Sequence, residues 1–187
     1  MKVVKNEEIN DHLFQQMIEL DHQVWPASSE THLSTEYLYG LYQDTKDAMF
    51  FAVDDHGNLM GYQTIIFVDK KNFDEYYRTG DFMLLKNIGM HKGDNILYIY
   101  TANVKDEYQG SGCMKYIGQS IAQWLEEREK EGYHVSVAYA EAVSDSGVRT
   151  ILQGFEMEAM DDVDENGLGH YILKDGMRAY RRKMLKK

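Results

Sequence analysis

The stretch that decides the fold is Val104–Met114, which reads VKDEYQGSGCM. It follows Ile96–Val104, the clearest predicted β-strand, whose successive side chains alternate between two faces. After it, up to Gly132, apolar residues recur every three or four positions as in an amphipathic helix: Met114, Ile117, Ile121, Trp124 and Leu125. A strand, a glycine turn and a helix in this order predict an anion site at the start of the helix.

Gly110 and Gly112 give this turn its chemical character, because a residue without a Cβ lets a ligand approach the backbone closely. The first N–H groups of the following helix lack partners within the helix and lie at the positive end of its dipole. A pyrophosphate group suits such a site. A connection that merely needs two glycines is the competing interpretation, and the two glycines alone do not decide between them.

Three other kinds of site are disfavoured. The sequence contains no Gly-x-x-x-x-Gly-Lys-Ser/Thr, which excludes a nucleoside-triphosphate P-loop. The turn lacks the three glycines and the early βαβ context of a dinucleotide site. Cys113 has no histidine nearby in the sequence, so an inert buried thiol is favoured over thiol catalysis.

Outward from this stretch, the pattern predicts one α/β domain over residues 1–187. Helices are expected after the caps Asn10 and Ser34 and over 145–153, and strands over 48–53, 59–68 and 135–142. Segment 69–94 is expected to be a long connection that holds a short helix or a substrate loop. The C-terminus is expected to form one or two strands and a solvated basic tail.

The stretch resembles the acyl-CoA-binding motif of the GNAT superfamily of N-acetyltransferases, Gln/Arg-x-x-Gly-x-Gly/Ala after a strand that ends in Val. Residues 109–112 match this motif and Val104 stands at the end of the strand, whereas Met114 replaces the last Gly or Ala. Two other pairs agree with the family's order of elements. Gly61-Tyr62 lies in the predicted hairpin, and Gly154-Phe155 follows the predicted helix over 145–153.

The resemblance implies a mixed, mostly antiparallel sheet with splayed central strands, flanked by helices. It also implies acetyl-CoA as the acyl-donor co-substrate and direct attack of a primary amine on the thioester. The residues that would contact CoA through their backbone are Ala102, Val104, Gln109, Gly110, Ser111, Gly112, Cys113 and Met114.

The groups that move protons are the least determined part of the site. Glu141 is the carboxylate best placed in the sequence to act as the base, and Tyr100 faces the same region. A structural or substrate-lining role is the competing interpretation for both residues. Members of the family often place an acidic Tyr four residues before the Gly-Phe pair, where this chain has Thr150, whose hydroxyl is a poor acid.

The leading hypothesis is therefore an acetyl-CoA-dependent N-acetyltransferase. The alternative is a catalytically weak or inactive acyl-CoA-binding module of the same fold, which the departures at Thr150 and Met114 motivate. A purely structural acidic domain is a third reading. The acceptor, a small-molecule or peptide amine, and the oligomeric state cannot be read from the sequence.

Charge and composition narrow the classes of partner that the chain could bind. The chain has 20 basic and 31 acidic residues, a formal net charge of −11, which disfavours nucleic acid and suits a cationic acceptor. The apolar run 48–53 is far shorter than the ~20 residues that cross a bilayer. No apolar run opens the chain and a lone cysteine forms no internal disulfide, which predicts a cytoplasmic location.

No metal is predicted. Asp162–Gly167 fits the first half of a calcium loop, but Leu173 replaces the glutamate that closes such loops. A polar hairpin turn explains the segment better. The seven histidines show no ligand spacing.

Overall fold

A computed structural model describes residues 1–5, 8–28, 33–44, 48–142, 144–163, 169–174 and 178–185. Within these ranges, the strands are β1 (Lys2–Lys5), β2 (Met49–Val53), β3 (Leu59–Val68), β4 (Gly93–Val104), β5 (Tyr133–Ala142), β6 (Glu158–Val163) and β7 (Gly169–Leu173). The helices are α1 (Asp11–Val24), α2 (Thr35–Asp44), α3 (Lys70–Thr79), α4 (Cys113–Lys130), α5 (Asp145–Arg149) and α6 (Arg178–Leu185).

The strands form a seven-stranded sheet in the order β1-β2-β3-β4-β5-β7-β6. The pairs β1/β2, β2/β3, β5/β7 and β6/β7 are antiparallel, whereas β4 and β5 run parallel with α4 between them in the chain. This arrangement confirms the predicted fold class, a mixed and mostly antiparallel sheet accompanied by helices.

The first two helices begin where the sequence places their caps. The side chain of Asn10 accepts a hydrogen bond from the Leu13 N–H at 3.0 Å, and the hydroxyl of Ser34 accepts one from the Tyr37 N–H at 3.1 Å. Each cap satisfies an amide that has no partner within its helix. Helix α1 ends at Val24, two residues before Pro26, since a proline disfavours helical geometry in the residue that precedes it.

Segment 69–94 is more regular than predicted. Asp69 caps α3 by accepting from the amides of Lys71 and Asn72, and Gly80, with φ +70°, ends the helix. Phe73 and Tyr76, three residues apart, are buried from one face of this helix. Their spacing is the helical signal that the polar composition of the segment conceals.

The prediction for the C-terminal basic tail is wrong. Residues 178–185 form α6, and Arg181 is only 7% exposed. Its guanidinium forms an ion pair with Glu129 and lies 3.6 Å from a carboxylate oxygen of Glu126. An ion pair between the buried Arg181 and α4 accompanies this helix, and charge patterning along the chain could not reveal it.

The chain packs as two compact units. The first comprises 1–65 and 101–121, and the second comprises 66–100 and 122–187. Phe50, Phe51 and Tyr62 are fully buried in the first unit, and Leu97 and Ala138 are fully buried in the second. The single domain over residues 1–187 stays a prediction. Among the described helices, none combines the length and apolar character that crossing a bilayer requires.

Candidate functional site

The loop before α4 has the glycine turn that the sequence predicts. Lys105 leads into a single helical turn over Asp106–Tyr108, and Gln109 is extended. Gly110 and Gly112 have φ angles of +76° and +84°, in the left-handed region that favours glycine. A Cβ built on either glycine would meet no atom within 4 Å, so open space lies beside the backbone at both positions.

The loop amides divide into two groups. Those of Gln109, Ser111 and Cys113 donate to the Asp106 carbonyl, the Tyr108 carbonyl and the Ser111 hydroxyl, respectively. Within the described part of the chain, the N–H groups of Gly110, Gly112 and Met114 donate to no protein atom. Three donors at the start of an 18-residue helix form a place for an anion.

Gly61 of β3 lets this loop approach the sheet. A Cβ at Gly61 would lie 2.7 Å from the Asn103 carbonyl oxygen and 3.0 Å from the Cys113 sulfur and from a Val104 methyl group. Only glycine fits such a contact, because the nearest of these atoms belongs to the backbone. The Gly61-Tyr62 pair noted in the sequence is therefore part of the support beneath the loop.

The end of β4 directs backbone groups away from β3. The Lys105 N–H donates to the Met60 carbonyl at 2.9 Å, and the Asn103 carbonyl lies beside Gly61. Because backbone groups alternate in direction along a strand, those of Ala102 and Val104 face away from β3. The pairing of β4 with β5 ends at Ile99 and Ala140, although β4 continues to Val104. Ala102 is exposed and Val104 partly exposed.

Cys113 is the first residue of α4 and is 2% exposed. Burial raises the pKa of its thiol to about 11, so the sulfur is protonated at neutral pH. This environment agrees with the inert thiol that the sequence favours.

Glu141, in the second unit, lies at the centre of a polar cluster. Its Oε1 accepts a hydrogen bond from the Tyr76 hydroxyl and lies 3.1 Å from Nε2 of His170, and the two side chains are 8% and 9% exposed. The Tyr98 and Tyr76 hydroxyl oxygens are 3.2 Å apart. The ring of Tyr77 lies 4.9 Å from that of His170.

The second predicted catalytic residue, Tyr100, is at the edge of this cluster. Its ring centroid lies 6.4 Å from that of Tyr98, and its side chain is partly exposed. Burial, followed by the charge of Glu141, holds the pKa of Tyr98 well above its usual range. Tyr98 is therefore a neutral hydroxyl group at any physiological pH.

Sequence reasoning did not identify Tyr76 or His170. Tyr76 lies in a segment interpreted as a connection, and His170 faces Glu141 only because β7 pairs with β5, where Glu141 and His170 are in register. A search for carboxylates and histidines on strands that could pair would have found the second residue. The pairing of β5 with β7 itself is visible only in the tertiary structure.

Thr150 begins a wide helical turn, Thr150–Phe155, in which the Glu156 amide donates to the Ile151 carbonyl five residues earlier. This turn differs from the α-helix predicted over 145–153, of which only Asp145–Arg149 is regular. Wide turns of this kind occur often at functional sites. The methyl carbon of Thr150 would lie 3.6 Å from a Cβ at Gly154.

No group of three or more His, Cys, Asp or Glu side chains suited to a metal occurs among the residues that the structure describes. The interpretation of Asp162–Gly167 as a turn falls mainly on residues 164–168, which lie outside the described ranges.

Comparison with solved structures gives extended matches at low sequence identity. An acetyltransferase of the GNAT family from Staphylococcus aureus Mu50 is 10% identical, with a TM-score of 0.60 over 91% of this chain and 96% of that one. The polyamine N-acetyltransferase of Drosophila melanogaster, which forms N-acetylagmatine, is 11% identical, with a TM-score of 0.58 over 92% and 100%. A chain of the NatC complex bound to Gag peptide and CoA is 14% identical, with a TM-score of 0.60 over 93% and 99%. No protein-family model and no curated protein sequence matches the chain.

Proposed function

Because the chain has the fold of the GNAT N-acetyltransferases, we propose that it transfers the acetyl group of acetyl-CoA to a primary amine. The observation that carries this proposal is the start of α4. The anion site lies directly after the strand that ends at Val104. It consists of two glycines in the left-handed region, open space beside them, and three amides that donate to no atom of the described part of the chain.

We assign the pyrophosphate of CoA to the amides of Gly110, Gly112 and Met114. Gln109, Ser111 and Cys113 belong to the same segment, but their amides close the loop, so their role is to hold its shape. The outward backbone groups of Ala102 and Val104 would bond the pantetheine and the acyl carbonyl, as the resemblance implies.

In the proposed reaction, the neutral amine nitrogen attacks the thioester carbonyl carbon and forms a tetrahedral oxyanion. The carbon–sulfur bond then breaks, the attacking nitrogen gives up its extra proton as the acetamide forms, and the CoA thiolate leaves and takes up that proton. Holding the reactants together and donating a backbone N–H to the oxyanion supply most of the rate. The ammonium form of the acceptor must first lose one proton.

We propose that Glu141 accepts that proton and that Tyr100 lines the path of the acceptor amine. The Tyr76 hydroxyl donates to the Glu141 carboxylate and so holds it in place. In this role the Glu141 carboxylate would attract the ammonium group and receive its proton.

Substituting Glu141 tests this role separately from CoA binding. We expect Glu141→Gln to lower kcat about 10²-fold or more, within the range of positioned proton transfer, while CoA affinity stays within about twofold. The amide oxygen still accepts from Tyr76, which limits the structural disturbance. Steady-state kinetics over pH 6–9 with calorimetry for CoA measures both effects. Unchanged kcat would show that the proton goes elsewhere.

The alternative function is an acyl-CoA-binding module without turnover. Thr150 favours it, because a threonine hydroxyl does not protonate a leaving thiolate efficiently, and this chain has it where members of the family often have a Tyr. An unassisted CoA thiolate is still a fair leaving group, so the substitution slows the proposed reaction rather than forbidding it.

Two measurements decide between these functions. At about 100 times its dissociation constant, acetyl-CoA should add about 2.7 kcal/mol of stability and raise Tm by roughly 5–10 °C, whereas ATP and NAD should leave it unchanged. Thiol release is then followed with agmatine, polyamines and a peptide α-amine. Amine-dependent release supports the enzyme, binding without release supports the module, and no shift with acetyl-CoA overturns both.

The amine panel follows from the neighbours, one of which is named for polyamines and one of which is bound to a peptide. The acidic net charge favours the cationic members of the panel. A cytoplasmic location remains a prediction.

A further inference from the structure

The first unit buries a carboxylate that the acetyl-transfer scheme does not use. Asp21, in the last turn of α1, is 1% exposed. A carboxylate in this position is doubly unfavourable, because burial removes its hydration and the C-terminal end of a helix dipole is negative. Such a group persists only where hydrogen bonds to it compensate these costs.

Tyr62 of β3 provides such a hydrogen bond. Its hydroxyl donates to Oδ1 of Asp21 at 2.5 Å, and its side chain is completely buried. Burial, with the charge of Asp21, holds the pKa of Tyr62 well above its usual range, so the hydroxyl keeps its proton. The direction of this hydrogen bond is therefore fixed: Tyr62 is the donor and Asp21 the acceptor.

The Tyr62 oxygen, whose O–H points to Asp21, accepts a hydrogen bond from its other side. The amide nitrogen Nδ2 of Asn103 donates to it at 2.9 Å and also approaches the Thr101 hydroxyl at 3.4 Å. A single ordered chain thus runs from the Asp21 carboxylate through Tyr62 to Asn103. Each donor in it strengthens the next, because a polarised hydroxyl is a better acceptor.

Asn103 lies between Ala102 and Val104, the two residues whose backbone groups face away from β3. Its side chain is tied to Tyr62, its carbonyl lies beside Gly61, and the next amide, that of Lys105, donates to Met60. A rotation of the peptide planes at Ala102 or Val104 would have to break this chain or the Lys105 hydrogen bond.

We propose that Asp21, Tyr62 and Asn103 form a positioning relay. The relay fixes the end of β4, so that Ala102 and Val104 present their backbone groups to the pantetheine of CoA. The proposal rests on the proposed function for its ligand. Its structural part, that the relay sets the conformation of residues 101–105, stands without any ligand.

Three variants test the relay. Tyr62→Phe removes the central hydroxyl and Asn103→Ala removes the final donor, whereas Asp21→Asn keeps an oxygen that accepts from Tyr62. Asn103 is only partly buried, so its truncation leaves the core intact if Tyr62→Phe fails to fold. The matched control is Tyr171→Phe, another buried tyrosine, on β7 in the second unit.

The first readout is amide exchange without ligand, followed by NMR at Lys105, whose N–H bonds to Met60. We expect Tyr62→Phe and Asn103→Ala to accelerate exchange there about five- to thirtyfold, in line with the loss of one buried hydrogen bond. Asp21→Asn and Tyr171→Phe should change it less than about threefold. Unaltered exchange in a folded Asn103→Ala variant overturns the relay.

The second readout is the dissociation constant of CoA by calorimetry. Tyr62→Phe and Asn103→Ala should weaken binding about five- to thirtyfold, while Asp21→Asn and Tyr171→Phe remain within about threefold of the parent. Equal affinity in all four variants overturns the link between the relay and CoA. Failure of the parent chain to bind CoA overturns the proposed function instead, and the exchange at Lys105 still decides whether the relay holds β4.

Discussion

Gly112 and Gly57 have the same φ angle, +84°, and a Cβ at either would meet no atom within 4 Å. They differ in place: Gly57 lies in the turn between β2 and β3, and Gly112 precedes α4. The pair therefore separates the cost of a side chain in a left-handed conformation from the cost of blocking a ligand.

We expect Gly112→Asp to abolish detectable CoA binding, because the carboxylate would occupy the space that we assign to the pyrophosphate and reverse the sign of the local potential. Gly57→Asp should cost a similar ~1 kcal/mol or so of stability while leaving CoA affinity unchanged. Calorimetry on both folded variants measures this. Near-normal affinity in Gly112→Asp would refute the assignment of the anion site.

Cys113 should take no covalent part in the reaction. Cys113→Ala is expected to keep acetyl transfer within a few-fold of the parent, since direct attack needs no acyl-enzyme. Mass spectrometry that found an acetylated Cys113 able to pass its acetyl group to the amine would contradict this mechanism.

The raised pKa of the Cys113 thiol predicts how the stability of the protein changes with pH. Its pKa rises from about 9 to about 11 on folding, so the folded protein holds this proton more tightly than the unfolded chain. The corresponding stability is complete below pH 9 and is lost as the pH rises from about 9 to 11. Denaturant titrations should show a smaller loss over that interval for Cys113→Ala than for the parent.

At the scale of elements, α3 and α6 differ in how far local patterning predicts them. In α3 the cap Asp69 and the end Gly80 are both legible in the sequence, and the buried Phe73 and Tyr76 are spaced correctly. Because the segment is polar, the sequence left a short helix and a substrate loop as alternatives, and the structure shows the helix. In α6 basic residues dominate the sequence, and only the structure shows that Arg181 is buried beside α4.

We expect Arg181→Ala to lower the free energy of unfolding by about 1–3 kcal/mol, below the value for a fully buried pair because Glu129 is 30% exposed. Arg182→Ala, which removes an exposed cation from the same helix, should change it by less than about 0.5 kcal/mol. Urea denaturation of both variants makes the comparison. Equal losses in the free energy of unfolding would mean that removing any positive charge from α6 destabilises the protein, whether or not that charge is paired with Glu129.

The ion pair also has a pH signature. The hydrogen bond from Arg181 lowers the pKa of Glu129 below 4.5, so its contribution is present above about pH 4.5 and is lost as the pH falls through the lowered value. Arg181→Ala should therefore show a shallower loss of stability in acid than the parent.

At the scale of the whole molecule, the net charge of −11 opposes the approach of CoA, which is itself an anion. The α4 amides act only at short range, whereas the net charge acts over a Debye length of about 10 Å at 0.1 M salt. We expect the association rate of CoA to rise a few-fold between about 10 mM and 150 mM salt, and that of a cationic acceptor to fall.

Stopped-flow measurements with CoA and with agmatine give the two salt dependences. A CoA association rate that falls with added salt would show that a local positive potential at the start of α4 dominates the field of the whole chain.

The sequence by itself determined the strand–glycine–helix unit, the caps at Asn10 and Ser34, the hairpin around Gly57, and the mixed α/β class. These features depend on backbone conformation and on periodicity along a short segment, which neighbouring residues encode directly. The loop of the proposed anion site has the left-handed φ angles that Gly110 and Gly112 permit without strain.

Only the tertiary structure decided which side chains meet across the sheet. Glu141 faces His170 because β5 and β7 pair in one register, and Asp21 reaches Asn103 through Tyr62 because α1, β3 and β4 pack together. A shift of one residue in either pairing would send these side chains to the opposite face. Strand register is set by the summed packing of the core, so no local stretch of sequence contains it.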